Sequence, residues 1–113
     1  MPKFHFGHEF VSVREGIAIE IAVLKSGEGS GSVWVSSSSR NGVSGACEDD
    51  YEPVKELLRF SEWEDCKKVT VKAKSDLIAE SNEYFTLQLL AVQPDTLATP
   101  NTMTIEIIDM PVI

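Results

Sequence analysis

The sequence predicts an all-β protein that folds as a seven-stranded antiparallel sandwich of two sheets. Three observations lead to this prediction. Apolar residues recur at every second position, which is the period of a strand with one buried face, and no long segment shows the helical period. The alternating segments are short, and they follow one another roughly every 8 to 16 residues. Clusters of glycine, serine and proline separate them, as turns do.

Three predicted strands occupy the N-terminal half of the chain. The second is the clearest, because four apolar residues at alternate positions, beginning with Ile17, share one face. In the third strand the size of Trp34 favours burial between the sheets, although Val33 and Val35 compete for that face. The predicted strands are residues 4–6 with 10–13, as one broken strand, then 17–24 and 32–39.

Four further strands are predicted in the C-terminal half. The segment "VKELLRF" has residues that favour a helix, yet it is too short for a stable one, so we assign it to a strand. Phe85, Leu87 and Leu89 share one face of the sixth strand, and the last strand shows the same alternation from Met103. Strands that run alternately up and down in this way give an immunoglobulin-like topology. The predicted strands are residues 54–60, 67–73, 84–92 and 102–109.

Size and composition exclude several classes of protein. The 113 residues suit one domain with one core. The net charge of −8 argues against nucleic-acid binding, which needs a basic patch. No apolar run approaches the ~18 residues that cross a bilayer, so we expect no direct membrane insertion by this segment. No nucleophile elbow, phosphate-binding loop or dinucleotide motif occurs, so we expect no enzymatic activity.

The two cysteines leave the redox compartment open. Cys47 and Cys66 form no CxxC pattern, which argues against a disulfide-dense framework and a thiolate zinc site. A bridge that closes the loop between them and a pair of reduced thiols are both compatible with the sequence.

Half of the acidic residues fall at one end of the predicted sandwich. If the strands alternate in direction, the connections after the first, third and fifth strands share an end, and the end of the last strand joins them. Only Arg14, Arg40 and Lys74 could offset the negative charge there. The nine acids at this end, of 18 in the chain, are Glu15, Glu48, Asp49, Asp50, Glu52, Asp76, Glu80, Glu83 and Asp109.

Such a convergence of carboxylates has two explanations. Uncompensated like charges repel one another, and a hard divalent cation removes that cost. Calcium takes about 6 to 8 oxygen ligands and tolerates irregular geometry, so loops serve well as donors. Soft metals would need thiolate or imidazole ligands, and His5 and His8 lie beside the first strand, away from these acids. The alternative is a solvated acidic rim that keeps the domain soluble.

The acids belong to motifs that resemble those of the Calx-beta domain, a module named for sodium–calcium exchangers. The strongest segment is "SDLIAESNEYFTLQL" at residues 75–89, which is similar to the family's run of acids ahead of a strand. The segments "VSVREG", "DDYEP", "LLRFSEWEDCKKVTV" and "MTIEIID" follow the family's order and spacing over nearly the whole chain.

The resemblance implies a set of metal ligands. In calcium-binding members of the family, acids at these positions hold a cluster of calcium ions at one end of the sandwich. Two departures from the family pattern reduce that set: Ser75 stands before Asp76 where the family has a second acid, and Met110 and Pro111 follow Asp109 in place of further acids. The resemblance therefore implies one or two weak calcium sites rather than a multi-ion cluster. The ligands it implies are Glu15, Asp50, Asp76, Glu80, Glu83 and Asp109.

The resemblance also implies a role within a larger protein. Residues 1–113 would be a single domain excised from a multidomain membrane-associated or extracellular protein. Its partners would be the neighbouring domains of that protein and a protein partner in adhesion. The function implied first is a non-catalytic calcium-binding module that stiffens or regulates a membrane or adhesion protein. The alternative is a calcium-independent structural or interaction module of a cell-adhesion or extracellular matrix protein.

Two aromatic residues carry separate expectations. We expect the ring of Tyr51 to pack at the edge of the sandwich while its hydroxyl finds a partner. Trp63, in a turn between strands, is expected to cover one end of the core, and the alternative is that it forms part of a contact surface.

Overall fold

The protein consists of two β-sheets packed face to face. A computed structural model describes residues 2–39, 51–74, 83–94 and 96–108. No helix among these residues is long and apolar enough to cross a membrane. The strands are β1 (Lys3–Phe6), β2 (Phe10–Arg14), β3 (Ala18–Ser26), β4 (Gly31–Ser39), β5 (Lys55–Phe60), β6 (Cys66–Lys72), β7 (Glu83–Ala91) and β8 (Thr102–Ile108).

The predicted sandwich is confirmed, with eight strands instead of seven. One sheet has the order β1-β3-β6 and the other β2-β8-β7-β4-β5. The additional strand arises because the broken first strand contributes its two halves to different sheets. β1 pairs antiparallel with β3, whereas β2 pairs parallel with β8, which is the one parallel pair among the described strands. The first strand thus crosses from one sheet to the other at residues 7–9, and it holds the two sheets together.

The core fills the space between the two inner faces, where the predicted alternation places apolar side chains. Val33, Val35, Phe85 and Leu87 are fully buried, as expected from their shared faces. The expectation for Trp34 was wrong. Its neighbours Val33 and Val35 occupy the inner face of β4, so Trp34 lies half-buried on the outer face, with the Lys55 ammonium 6.0 Å from its ring centroid. Because a strand turns only alternate residues inward, the burial of Val33 and Val35 places Trp34 on the outer face.

Strand direction divides the connections between two ends of the sandwich. We call the end reached by the C-terminal ends of β2, β6 and β8 the acidic pole, and the other end, with the turns at residues 27–30 and 61–65, the opposite pole. Tyr51 lies near the acidic pole because it forms a bridge with Ala73, just after β6. The first, third and fifth predicted strands correspond to β2, β4 and β6 at their C-terminal ends, and all three end at the acidic pole. The prediction that the loops after these strands start from a common end is therefore confirmed.

The opposite pole is closed by a lysine instead of a tryptophan. Trp63 is 84% exposed, so the expectation that it covers the core was wrong. Lys25 is buried there, and its ammonium donates hydrogen bonds to the carbonyls of Gly29, Ser61 and Glu62 at 2.7, 2.8 and 3.0 Å. These bonds tie the turn after β3 to the turn after β5. Cys66, at the start of β6, is an exposed free thiol, whereas Cys47 lies outside the described residues.

Candidate metal site

Backbone hydrogen bonds bring the segments that carry the predicted ligands together at the acidic pole. The N–H of Glu15 donates to the carbonyl of Ile108 at 3.1 Å, one residue before Asp109 in the sequence. The N–H of Gly16 donates to the carbonyl of Ala73 at 2.9 Å, and Ala73 in turn bridges to Tyr51, the residue after Asp50. Four segments distant in sequence therefore meet at this pole.

The turn between β2 and β3 positions Glu15. Gly16 has a φ of 77°, in the left-handed region that side chains other than glycine adopt at a cost. That conformation lets the chain reverse within Glu15, Gly16 and Ile17, and the Ile17 N–H closes the turn on the carbonyl of Arg14 at 3.1 Å. Glu15 is therefore held on a short turn with a fixed direction.

Glu15 and Glu83 are the two predicted ligands that the structure describes. Glu83 pairs with Ile107 on β8, and Ile107 pairs on its other side with Val13, two residues before Glu15. Strand spacing and rise put the Cα atoms of the two glutamates about 12 Å apart. By the alternation of β7, Glu83 shares the inner face with Phe85, whereas Glu15 lies in the turn that follows β2. Both glutamates are half-buried.

A buried aromatic pair, Tyr51 and Phe85, lies in the core next to the acidic pole. The rings of Tyr51 and Phe85 stack with centroids 3.8 Å apart and an interplanar angle of 3°. Tyr51 is 1% exposed, which confirms that its ring packs into the sandwich, and it has a further interaction partner. Glu83 lies two residues before Phe85 on β7, so its side chain is beside this buried aromatic pair.

The remaining predicted ligands, Asp50, Asp76, Glu80 and Asp109, lie outside the described residues. Among the residues that the structure does describe, no group of three or more histidine, cysteine, aspartate or glutamate side chains forms a metal site. The two described ligands supply oxygen donors, and Cys66 and His5 lie on strands near the opposite pole. Within the described ranges, the predicted ligands at this pole offer carboxylate oxygens, which suit a hard cation such as calcium.

The charges around the described part of this pole are partly balanced. Glu15, Glu83 and Lys74 each have an interaction partner. Lys74 and Arg14 are exposed, so water screens their attraction to the carboxylates.

The chain as a whole matches one protein family. The family model described as the Calx-beta domain matches residues 2–111. The chain belongs to the Calx-beta family. The resemblance read from the acid motifs is therefore confirmed, and the match extends over nearly the entire sequence. None of the curated proteins compared with this Calx-beta domain matches it.

Several solved structures are similar to this Calx-beta domain. The crystal structure of the apo-form Calx CBD1 domain superposes with a TM-score of 0.85 at 23% identity, covering 97% of this chain and 98% of that one. The calcium binding domain CBD12 of CALX1.1 gives a TM-score of 0.83 at 23% identity, covering 95% of this chain and 45% of that one. The crystal structure of the Calx CBD2 domain gives a TM-score of 0.75 at 16% identity, covering 92% of this chain and 84% of that one. At these identities the likeness establishes the fold.

Sequence reasoning missed two structural residues near the poles. Phe85 was assigned to the core, but not to a stack with Tyr51 under the predicted ligands. Lys25 was not singled out, although it continues the inner-face positions of Ile21 and Val23 on β3. That parity was a signal that could have located it.

Proposed function

We propose that this Calx-beta domain is a non-catalytic calcium-binding module of a larger membrane or adhesion protein. The observation that carries the proposal is the pair of backbone hydrogen bonds from Glu15 to Ile108 and from Gly16 to Ala73. They join the turn that carries Glu15 to Ile108, next to Asp109 in the sequence, and to Ala73, ahead of Asp76, which supports a common end for these carboxylates. The proposed ligands are Glu15, Asp50, Asp76, Glu80, Glu83 and Asp109.

The similar structures support this proposal. One of them is the calcium binding domain CBD12 of CALX1.1, and this chain covers 45% of its length. We infer that this chain is likewise one domain of a longer protein, with neighbouring domains as its partners. Calcium at the acidic pole would neutralise repulsion among the carboxylates and tie the loops that carry them to the sandwich. The domain and its junction with a neighbour would become stiffer as a result.

The proposed ligand set favours a small number of calcium ions bound weakly. Compared with the family pattern, an acid is missing before Asp76 and the acids after Asp109 are missing. Fewer carboxylates lower calcium affinity, and extracellular modules with fewer charges bind at roughly 0.1–1 mM. At 10 mM calcium such a site would stabilise the fold by about 1.4–2.7 kcal/mol, because only the folded form binds the ion.

Thermal melting tests the proposal. We expect the Tm in 10 mM calcium to exceed that in chelator by several degrees, and Asp76→Ala or Glu80→Ala to reduce the shift. Glu28→Ala, which removes a carboxylate at the opposite pole, is the matched control and should leave the shift intact. Magnesium at equal concentration controls for general screening by divalent cations. The absence of a shift up to 10 mM calcium would contradict calcium binding.

A second candidate is a calcium-independent interaction or spacer module in an adhesion or matrix protein. The observation that favours it is Trp63, a large apolar side chain that is 84% exposed. Its turn is held in place by the carboxylate of Glu64, which accepts hydrogen bonds from the N–H and hydroxyl of Ser61 at 2.8 and 2.7 Å. A rigid exposed tryptophan is typical of a contact surface. Melting that is insensitive to calcium would favour this candidate.

A further inference from the structure

We propose that the free edge of β5 is a docking site for an extended acidic peptide, which adds to the five-stranded sheet as a further strand. The peptide carries an apolar residue with an acidic residue two positions before it and another two positions after it. This site lies along the edge of the sheet and needs no calcium.

The backbone of β5 has the capacity to pair with another strand. Among the described residues, β4 is the only strand that pairs with β5, so β5 forms one margin of the larger sheet. The described backbone hydrogen bonds outside the strand ladders include none from residues 55–60. An edge strand in this position presents N–H and C=O groups that an extended peptide can bind.

The side chains on the outer face of β5 specify what such a peptide must contain. Lys55, Leu57 and Arg59 share that face, with both cations exposed and Leu57 half-buried between them. Leu57 ends an apolar row across the sheet, because it pairs with Trp34, which pairs in turn with Leu90. A strand beside β5 would place one residue opposite Leu57, and an apolar residue there extends the row.

The charges beside Leu57 favour acidic residues at the flanking positions. Among the described residues neither Lys55 nor Arg59 pairs with a carboxylate, although the chain as a whole has a net charge of −8. The contact recorded for the Lys55 ammonium is with the ring of Trp34. Acidic residues two positions on either side of the apolar residue would stand directly opposite the two cations, where opposite charges stabilise a strand pair.

The same charges disfavour a second copy of this chain as the occupant. In a symmetric antiparallel pair of β5 strands centred on Leu57, Lys55 of one copy faces Arg59 of the other. Like charges directly opposite each other are destabilising. Charges on edge strands commonly prevent such self-pairing. The pattern on β5 therefore rejects its own copy while it remains complementary to an acidic strand.

The surface beside β5 has room for the peptide. A shallow depression of about 420 Å³ lies against this edge, and four of its lining residues are consecutive in β5. The fifth is Lys67 of β6, so the depression reaches from one sheet toward the other. Its lining residues are Glu56, Leu57, Leu58, Arg59 and Lys67.

Fluorescence of Trp34 provides a direct test. In a Trp63→Phe background Trp34 is the single tryptophan, one strand away from the proposed peptide. The probe is a synthetic peptide with the core Glu-Thr-Val-Thr-Glu, titrated in chelator so that calcium plays no part. We expect a saturable change in Trp34 emission and slower amide hydrogen exchange in β5. A scrambled peptide with adjacent glutamates should bind roughly tenfold more weakly, because it cannot align both acids with the cations.

Charge reversal provides the decisive comparison. Lys55→Glu combined with Arg59→Glu should abolish binding of the glutamate peptide and create binding of the same peptide with lysines in place of glutamates. That gain of binding also shows that the variant is folded. Lys68→Glu, on the outer face of β6, is the matched control and should change nothing. Equal binding of the scrambled peptide, unchanged binding by the double variant, no binding at millimolar peptide, or self-association through β5 would each overturn the proposal.

Discussion

Lys25 shows how the alternation of a strand can force a charged residue inward. It has the same parity on β3 as Ile21 and Val23, so its side chain enters the space between the sheets. The buried ammonium is tolerated because three carbonyls accept its hydrogen bonds. Removing the ammonium leaves those carbonyls without a donor.

We expect Lys25→Met to lower the free energy of unfolding by about 2–4 kcal/mol, since hydrogen bonds to a charged donor are lost and buried acceptors stay unsatisfied. Urea denaturation measures this difference. Lys68→Met is the matched control, because Lys68 is exposed and only 3.6 Å from Glu20 in a surface ion pair, which is worth less than about 1 kcal/mol. Similar losses in the two variants would contradict the role assigned to Lys25.

Glu64 makes the stability of the opposite pole sensitive to acid. Hydrogen bonds from the backbone and hydroxyl of Ser61, together with Lys67 at 3.2 Å, lower the pKa of Glu64 from 4.5 to about 2. A lowered pKa means that the ionised form stabilises the folded state above pH 4.5, and that this contribution is lost as the pH falls toward 2.

We therefore expect Glu64→Gln to lower the Tm at pH 6 and to have little effect near pH 2, where the wild-type carboxyl is itself being protonated. Melting curves between pH 2 and pH 6 test this. Glu62→Gln, in the same turn, controls for the loss of one negative charge. If both variants differed from the wild type equally at every pH, the hydrogen bonds to Ser61 would not be the cause.

At the scale of single residues, alternation predicted burial better than size or hydrophobicity did. It placed Val33, Val35 and Phe85 inside correctly. The size of Trp34 suggested burial, but the parity of its strand put it outside. Trp63 lies in a turn, where no alternation applies, so parity could not predict its exposure.

Among the elements, the turn between β2 and β3 is tightly constrained. Gly16 combines a positive φ with a hydrogen bond to Ala73, so a side chain there would strain the backbone that holds Glu15. The sequence "REG" shows where the turn lies, but it does not show which residue adopts the left-handed conformation.

We expect Gly16→Ala to destabilise the protein by about 1–2 kcal/mol. Gly7→Ala is the matched control. A Cβ at position 7 would meet Ala22 at an ordinary distance of 3.7 Å, so that substitution should be close to neutral. Both values can be read from denaturant unfolding, and an equal cost at the two positions would show that the φ of Gly16 carries no strain.

The break in the first strand is the element that pattern alone could not resolve. Phe6 and Val13 both point inward and both are buried, so either half of the strand would satisfy either sheet. The choice of partner depends on hydrogen bonding across the molecule, with β3 for one half and β8 for the other. Sequence periodicity contains no information on pairing partners, which explains why seven strands were predicted and eight were found.

On the scale of the whole molecule, the alternating direction of the strands was readable from the sequence, and so was the common end from which the loops after the first, third and fifth predicted strands start. The gathering of acids at that end stays a prediction, because most of the predicted ligands lie outside the described residues and their positions depend on loop conformation. The molecule measures 51 × 24 × 18 Å, and its acidic pole and exposed Trp63 belong to opposite ends of the strands. The proposed calcium site and the proposed Trp63 contact surface would therefore not block each other.

The parallel pairing of β2 with β8 determines how the domain responds to tension. The N-terminal end of β2 points toward the opposite pole and the C-terminal end of β8 points toward the acidic pole, so a pull on these two ends drives the strands past each other in shear. All five residue pairs from Phe10–Thr104 to Arg14–Ile108 then share the load at once instead of opening one after another. If the domain is linked to a neighbour on each side and the chain is pulled, the β2–β8 pair would resist unfolding.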